Sequence, residues 1–109
     1  MLEALVGSTN AERVLLFLAA RGEGYPAEIA RTFDTAPSMI KKQLDRMERE
    51  DLLVVRQVGK TRLYTFNPRN PFSKDVQAFF QLALEKYPAD IRERLTRNRR
   101  RPRKRGKAL

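Results

Sequence analysis

A lysine pair, Lys41-Lys42, lies five residues into a segment that opens on Pro37-Ser38. Lysine can donate to guanine O6 and N7, and Gln43 beside the pair could bond adenine bidentately. Ser38 and the first-turn amides of a helix starting there could hold a phosphate. Arg46 and Arg49 lie further along and suit phosphate rather than bases. A second basic group, Arg56, Lys60, Thr61 and Arg62, brackets Gly59 and suits the nucleic-acid backbone. A third is the run Arg99, Arg100, Arg101, Arg103, Lys104 and Arg105, which offers dense phosphate contacts without sequence information. The run has no aromatic residue, so base stacking on single strands is not its expected mode.

Other chemistries are poorly served. The chain has no cysteine and no histidine, which excludes disulfides, Cys/His metal sites and Ser-His or Cys-His nucleophiles. Paired acids and a phosphate-binding glycine loop are missing too, so neither an enzyme nor a bound cofactor or metal is expected. No apolar run approaches ~18 residues, so no membrane span is expected, and the start lacks the basic flank of a secretory signal. A cytoplasmic, nucleoid-associated location follows as an expectation.

The 109 residues suit one domain, and the net charge of +10 is unevenly placed. Residues 92–109 carry ten Lys/Arg against one acid, a net of +9, whereas residues 1–91 carry thirteen against twelve, a net of +1. A near-neutral folded domain over 1–88 is expected to precede a basic, disordered tail over 89–109.

The elements that must position the basic groups are readable from periodicity. Thr9-Asn10-Ala11-Glu12 reads as a capping box, with Thr9 as N-cap, for a helix over 9–21 ended by Gly22 and Gly24. Its centre is apolar on every side, so more than one surface must cover it. Leu2, Leu5 and Val6 could add a short turn before it. A short helix follows over 26–34, with Ile29, Ala30 and Phe33 facing inward. A third helix over 37–50 buries Ile40, Leu44 and Met47 at i, i+4, i+7. Its opposite face then carries Ser38, Lys42, Asp45, Arg46 and Arg49, flanked by Met39 and Lys41. The acids Asp45, Glu48, Glu50 and Asp51 would repel phosphate, so the C-terminal half of this helix should tilt away. The period then changes to that of a hairpin over 53–66 with a polar, basic tip. A last helix over 72–87 has an apolar arc wider than one packing face needs.

Two helices joined by a tight turn, the second followed by a hairpin, make a mostly α, α+β winged helix-turn-helix. The N-terminal residues of such a second helix meet base edges, which nominates Ser38, Met39, Lys41, Lys42, Gln43 and Arg46. Double-stranded DNA is the expected partner, with helix 37–50 in the major groove and wing 56–62 on the backbone or minor groove. Two other readings compete. One is an RNA- or ribosome-associated binder using the tail, and the other a protein-interaction adaptor.

Ala36 to Leu44 and Met47 to Leu53 resemble the recognition helix of ArsR-like winged-helix regulators. Val58 to Pro68 is similar to their wing and its exit. Leu5-Val6-Gly7-Ser8 and Tyr25 to Ala30 look like a prokaryotic, non-metal-sensing subgroup of that superfamily. The resemblance implies a homodimeric repressor paired through its first and last helices. Leu5, Leu15, Leu16, Val76, Phe79, Phe80, Ala83 and Tyr87 are the expected dimer contacts. The family's metal-sensing positions do not carry over: Ala27-Glu28-Ile29-Ala30 stands where thiolate sensors place cysteines. Any effector, small molecule or protein, is left open.

Overall fold

The computed structural model describes residues 1–97. The order is α1 (Glu3–Val6), α2 (Thr9–Arg21), β1 (Glu23–Gly24), α3 (Pro26–Thr32), α4 (Pro37–Arg49), β2 (Leu53–Val58), β3 (Thr61–Phe66), α5 (Ser73–Leu84) and α6 (Ala89–Arg97). None of these helices is long and apolar enough to cross a membrane.

Helix α2 is the axis of the core. Ala11, Val14, Leu15, Leu16, Phe17, Leu18 and Ala19 are all buried, so no side of its middle is left for water. Ser8, not Thr9, is the N-cap; its hydroxyl accepts from the Ala11 amide at 3.0 Å. Both residue types can cap. Capping one residue earlier frees Glu12 from the expected capping box. Glu12 turns inward, where it accepts from the Leu2 amide at 3.0 Å and from the Tyr87 hydroxyl. The terminal ammonium of Met1 also donates to it, at 3.2 Å.

Helices α3 and α4 pack on one another and on α2 through Ile29, Ala30, Phe33, Ile40, Leu44 and Met47, the inward set expected from spacing. Helix α3 stops at Thr32, two residues before its expected end, and Asp34 turns the chain with φ 54°. Strands β2 and β3 form the expected hairpin, registered from Leu53↔Phe66 to Val58↔Thr61. A two-residue strand, β1, completes a sheet of order β1-β3-β2. Gly24 was expected to help end α2; Gly22 does that at φ 87°, and Gly24 lies in β1 against the core. A Cβ on Gly24 would fall 2.7 Å from Cε1 of Phe17, so only glycine lets the strand approach α2.

The two roots of the hairpin are tied at one carbonyl. Asp51, at φ 68°, turns the chain from α4 into β2. Its oxygen accepts from the side-chain amides of Asn67 and Asn70, both at 3.0 Å, where β3 leaves the sheet. The Asn67 amide donates to the Leu52 carbonyl at 2.9 Å.

Two expectations at the C-terminal end are corrected. Helix α5 ends at Leu84 rather than 87, because the chain turns there and drops the Tyr87 ring into the core beside Glu12. Residues 89–97, expected to belong to a disordered tail, are helical. Ile91 and Leu95 share one face at i, i+4 spacing, and Leu95 is 0% exposed. Arg21 holds the end of α6: its Nε donates to the Leu95 carbonyl at 3.0 Å and its Nη2 to that of Arg94 at 2.8 Å. Its guanidinium also lies 4.5 Å from the centre of the Phe17 ring.

Leu95→Ala should therefore destabilise the chain by about 2–5 kcal/mol, as for a core leucine. Denaturant unfolding checks this; a loss like that of a surface leucine would mean that α6 is not part of the core.

Candidate nucleic-acid interface

Helix α4 begins at Pro37, where φ is already helical and no amide is lost. Its N-cap, Ala36, supplies no side-chain acceptor. The buried Ile40, Leu44 and Met47 fix its rotation. Ser38, Met39, Lys41, Lys42 and Arg49 are thereby exposed, while Gln43 and Arg46 are half-buried. Arg46 donates through Nε and Nη2 to Oε1 of Gln43, at 3.3 and 3.0 Å, and its Nη1 lies 3.7 Å from Glu50. The Gln43 carbonyl is thus already occupied by its neighbour. No ion pair or hydrogen bond among the described residues engages the Lys42 ammonium.

Lys41 is different. Its Nζ donates to Oδ2 of Asp45 at 2.6 Å, and the Tyr64 hydroxyl donates to Oδ1 of the same carboxylate, also at 2.6 Å. Asp45 thus joins α4 to the central strand of the wing. Burial alone would raise its pKa. The hydrogen bonds from Lys41 and Tyr64, with the charges of Lys41 and Arg62, outweigh that and hold it below the ordinary 3.8. From the sequence, Asp45 was expected only to repel phosphate. The i, i+4 spacing of Lys41 and Asp45 was a signal for the first half of this link. The second half spans 19 residues and has no local signature.

On the wing, Lys60 and Thr61 sit at the exposed tip, where the Thr61 hydroxyl closes the turn on the Val58 carbonyl at 2.7 Å. Arg62 lies with its guanidinium 5.9 Å from the centre of the Tyr64 ring. Arg56 is exposed with a guanidinium nitrogen 3.9 Å from Glu23 on β1, a loose pair across the sheet. The α4 residues and the wing residues belong to one connected unit. The tail set Arg99, Arg100, Arg101, Arg103, Lys104 and Arg105 lies outside the described residues.

The expected dimer residues divide. Leu15, Leu16, Phe80, Ala83 and Tyr87 are buried within the protomer itself, because α5 and α6 cover α2. Leu5, at 64% exposure, and Phe79, at 44%, remain open, with Val76 half-buried between them. They line an apolar groove of about 420 Å³. Phe72 and Leu82 are also exposed and were not among the expected contacts. Among the described residues, no group of three or more acids, cysteines or histidines is placed to hold a metal ion.

No protein-family profile matches the chain, and no curated protein sequence matches it. Solved structures do. A doubly substituted variant of Lactococcus lactis ZitR in apo form aligns with TM-score 0.50 and 18% identity, over 78% of this chain and 73% of that one. A singly substituted ZitR variant aligns with TM-score 0.52 and 16% identity, over 79% and 66%. A further structure of the double variant gives TM-score 0.51 and 18% identity, over 85% and 71%. At these identities the likeness is one of fold, and the fold is the winged helix.

Tyr64→Phe removes the wing's donor to Asp45 and should cost about 1.5 kcal/mol, the scale of a hydrogen bond to a charged group. The Asp45 pKa is depressed on folding, so its contribution is present above 3.8 and is lost as pH falls through the lower folded value. Urea unfolding of both proteins should show their stability gap shrinking below about pH 4. A gap constant down to pH 2 would rule out the Asp45 carboxylate as the partner.

Proposed function

We propose that this chain is a sequence-specific, double-stranded DNA-binding transcription regulator of the ArsR-like kind, acting as a homodimeric repressor in the cytoplasm. The observation that carries the reading is the exposed face formed by Ser38, Met39 and Lys42 on α4, which the chain Lys41–Asp45–Tyr64 joins to a basic hairpin. An α-helix fits the major groove, and its N-terminal residues are those that reach base edges. In this reading Lys42 donates to a base and Ser38 holds a phosphate. Arg46, Lys60, Thr61 and Arg62 contact the backbone, and the tail adds contacts without sequence information. Gln43 bonds a base only if Arg46 releases it. The fold shared with ZitR supports a winged-helix regulator, and the residue resemblance supports the ArsR-like kind.

A homodimer is favoured by the apolar groove that Leu5, Val76 and Phe79 leave open. A dimer of this kind is expected to read two half-sites about one DNA turn, ~34 Å, apart.

Selection of bound duplexes from a random pool at fixed salt tests this directly. A pseudo-palindrome should emerge. Lys42→Ala should weaken binding to it by about 1–3 kcal/mol, whereas Lys60→Ala should weaken all duplexes alike and flatten the salt slope by about 0.9. No enriched duplex, or equal enrichment of RNA, would overturn the proposal in favour of the tail-driven RNA reading. Light scattering of Phe79→Glu should report a monomer where the native chain gives a dimer.

A further inference from the structure

The Lys41 ammonium is the best-placed charge on α4 that is already spoken for. Paired lysines and aspartates on an exposed helix usually contribute little, because two long side chains must be held in one geometry. Here one partner is fixed by the fold. Asp45 is itself only 30% exposed at the side chain, and Oδ1 is held by the hydroxyl of Tyr64, whose ring is wholly buried. Oδ2 is left aimed at Lys41 at 2.6 Å. The entropy of orienting the carboxylate is spent on folding, not on forming the pair. Arg62, the other cation near this carboxylate, lies over the Tyr64 ring instead. Next along the chain, Lys42 has no such partner among the described residues.

We propose that Asp45 is a specificity-determining residue of the DNA interface: by holding the Lys41 ammonium it withholds that charge from the phosphate backbone, leaving Lys42, Ser38 and Met39 to face the groove. The inference rests on the reading of α4 as the recognition helix. Its purpose follows from the chain's charge. A chain of net +10 is attracted to the phosphates of any duplex, so each masked cation lowers non-specific affinity while base contacts are untouched. Asp45 acts through Lys41 and Tyr64 and is a positioning residue.

The test is a double-mutant cycle on the salt dependence of binding, with the selected duplex and a scrambled one, using full-length protein between about 50 and about 200 mM salt. On the scrambled duplex, Lys41→Ala should leave the slope of log affinity against log salt unchanged. Asp45→Asn keeps the shape and the acceptor for Tyr64 but frees the ammonium. It should steepen the slope by about 0.9, an extra loss of roughly 3.5-fold over that salt range. Asp45→Asn with Lys41→Ala should return to the native slope. Asp45→Asn should also narrow the preference for the selected duplex several-fold. A Lys41→Ala variant that flattens the slope by about 0.9 in the native background would overturn the inference, since Lys41 would then be touching phosphate all along. That variant changes an exposed residue, so the result stands even if Asp45→Asn folds poorly. Equal native affinity for the two duplexes would overturn the regulator reading and this inference with it. A clear native preference with an unmoved Asp45→Asn slope would overturn this inference alone.

Discussion

A helix that is apolar all round cannot rest on one neighbour, and the architecture follows from having to surround α2. Helices α3 and α4 cover one flank, α5 another, and α6 with Leu95 closes a third. The glycine at position 24 lets the sheet approach the Phe17 ring where any Cβ would collide. One charged group is buried among the described residues, Glu12. A buried carboxylate is costly unless it is hydrogen-bonded, and the Leu2 amide and the Tyr87 hydroxyl meet that need. Burial, with the hydrogen bond to Glu12, pushes the Tyr87 phenol well above its ordinary pKa, so it stays a donor well into alkaline solution. The position of α4, and hence of everything offered to a ligand, is inherited from this enclosure.

Local patterns were legible where local physics decides. The spacing of Ile40, Leu44 and Met47 fixed the rotation of α4, and the change to β-branched residues marked the hairpin with its ends at 53 and 66. Contacts between distant residues were not legible. Whether Ser8 or Thr9 caps α2 depends on where Glu12 must go, and that depends on Tyr87, 75 residues away. Helix α6 was hidden by composition: Ile91 and Leu95 carried the helical signal, but the surrounding arginines read as a solvated polycation. The apolar residues of α2 and α5 announced two faces to be covered without saying which face the chain covers itself. Leu15, Leu16, Phe80, Ala83 and Tyr87 proved to be internal.

The basic character of the described surface is less uniform than the composition suggests. Lys41 is matched by Asp45, Arg46 by Gln43 and Glu50, and Arg56 loosely by Glu23. On α4 and the hairpin, Lys42, Arg49 and Lys60 protrude without such a match among the described residues, as does the Ser38 hydroxyl. Pairing of this kind sets aside the long-range attraction that every polyanion feels and leaves the short-range contacts that depend on geometry.

The knot at the Asp51 carbonyl has a mechanical consequence. Asn67 and Asn70 clamp the inner end of the hairpin to the turn that leaves α4, and Tyr64 braces its middle against Asp45. Beyond that brace, the backbone of the strands from Arg56 to Arg62 pairs only within the hairpin, with the loose Arg56–Glu23 contact beside it. The hairpin is therefore a cantilever, stiff at its mounting and increasingly compliant toward Gly59 and Lys60. Bending confined to that outer end would leave the bearing of α4 undisturbed.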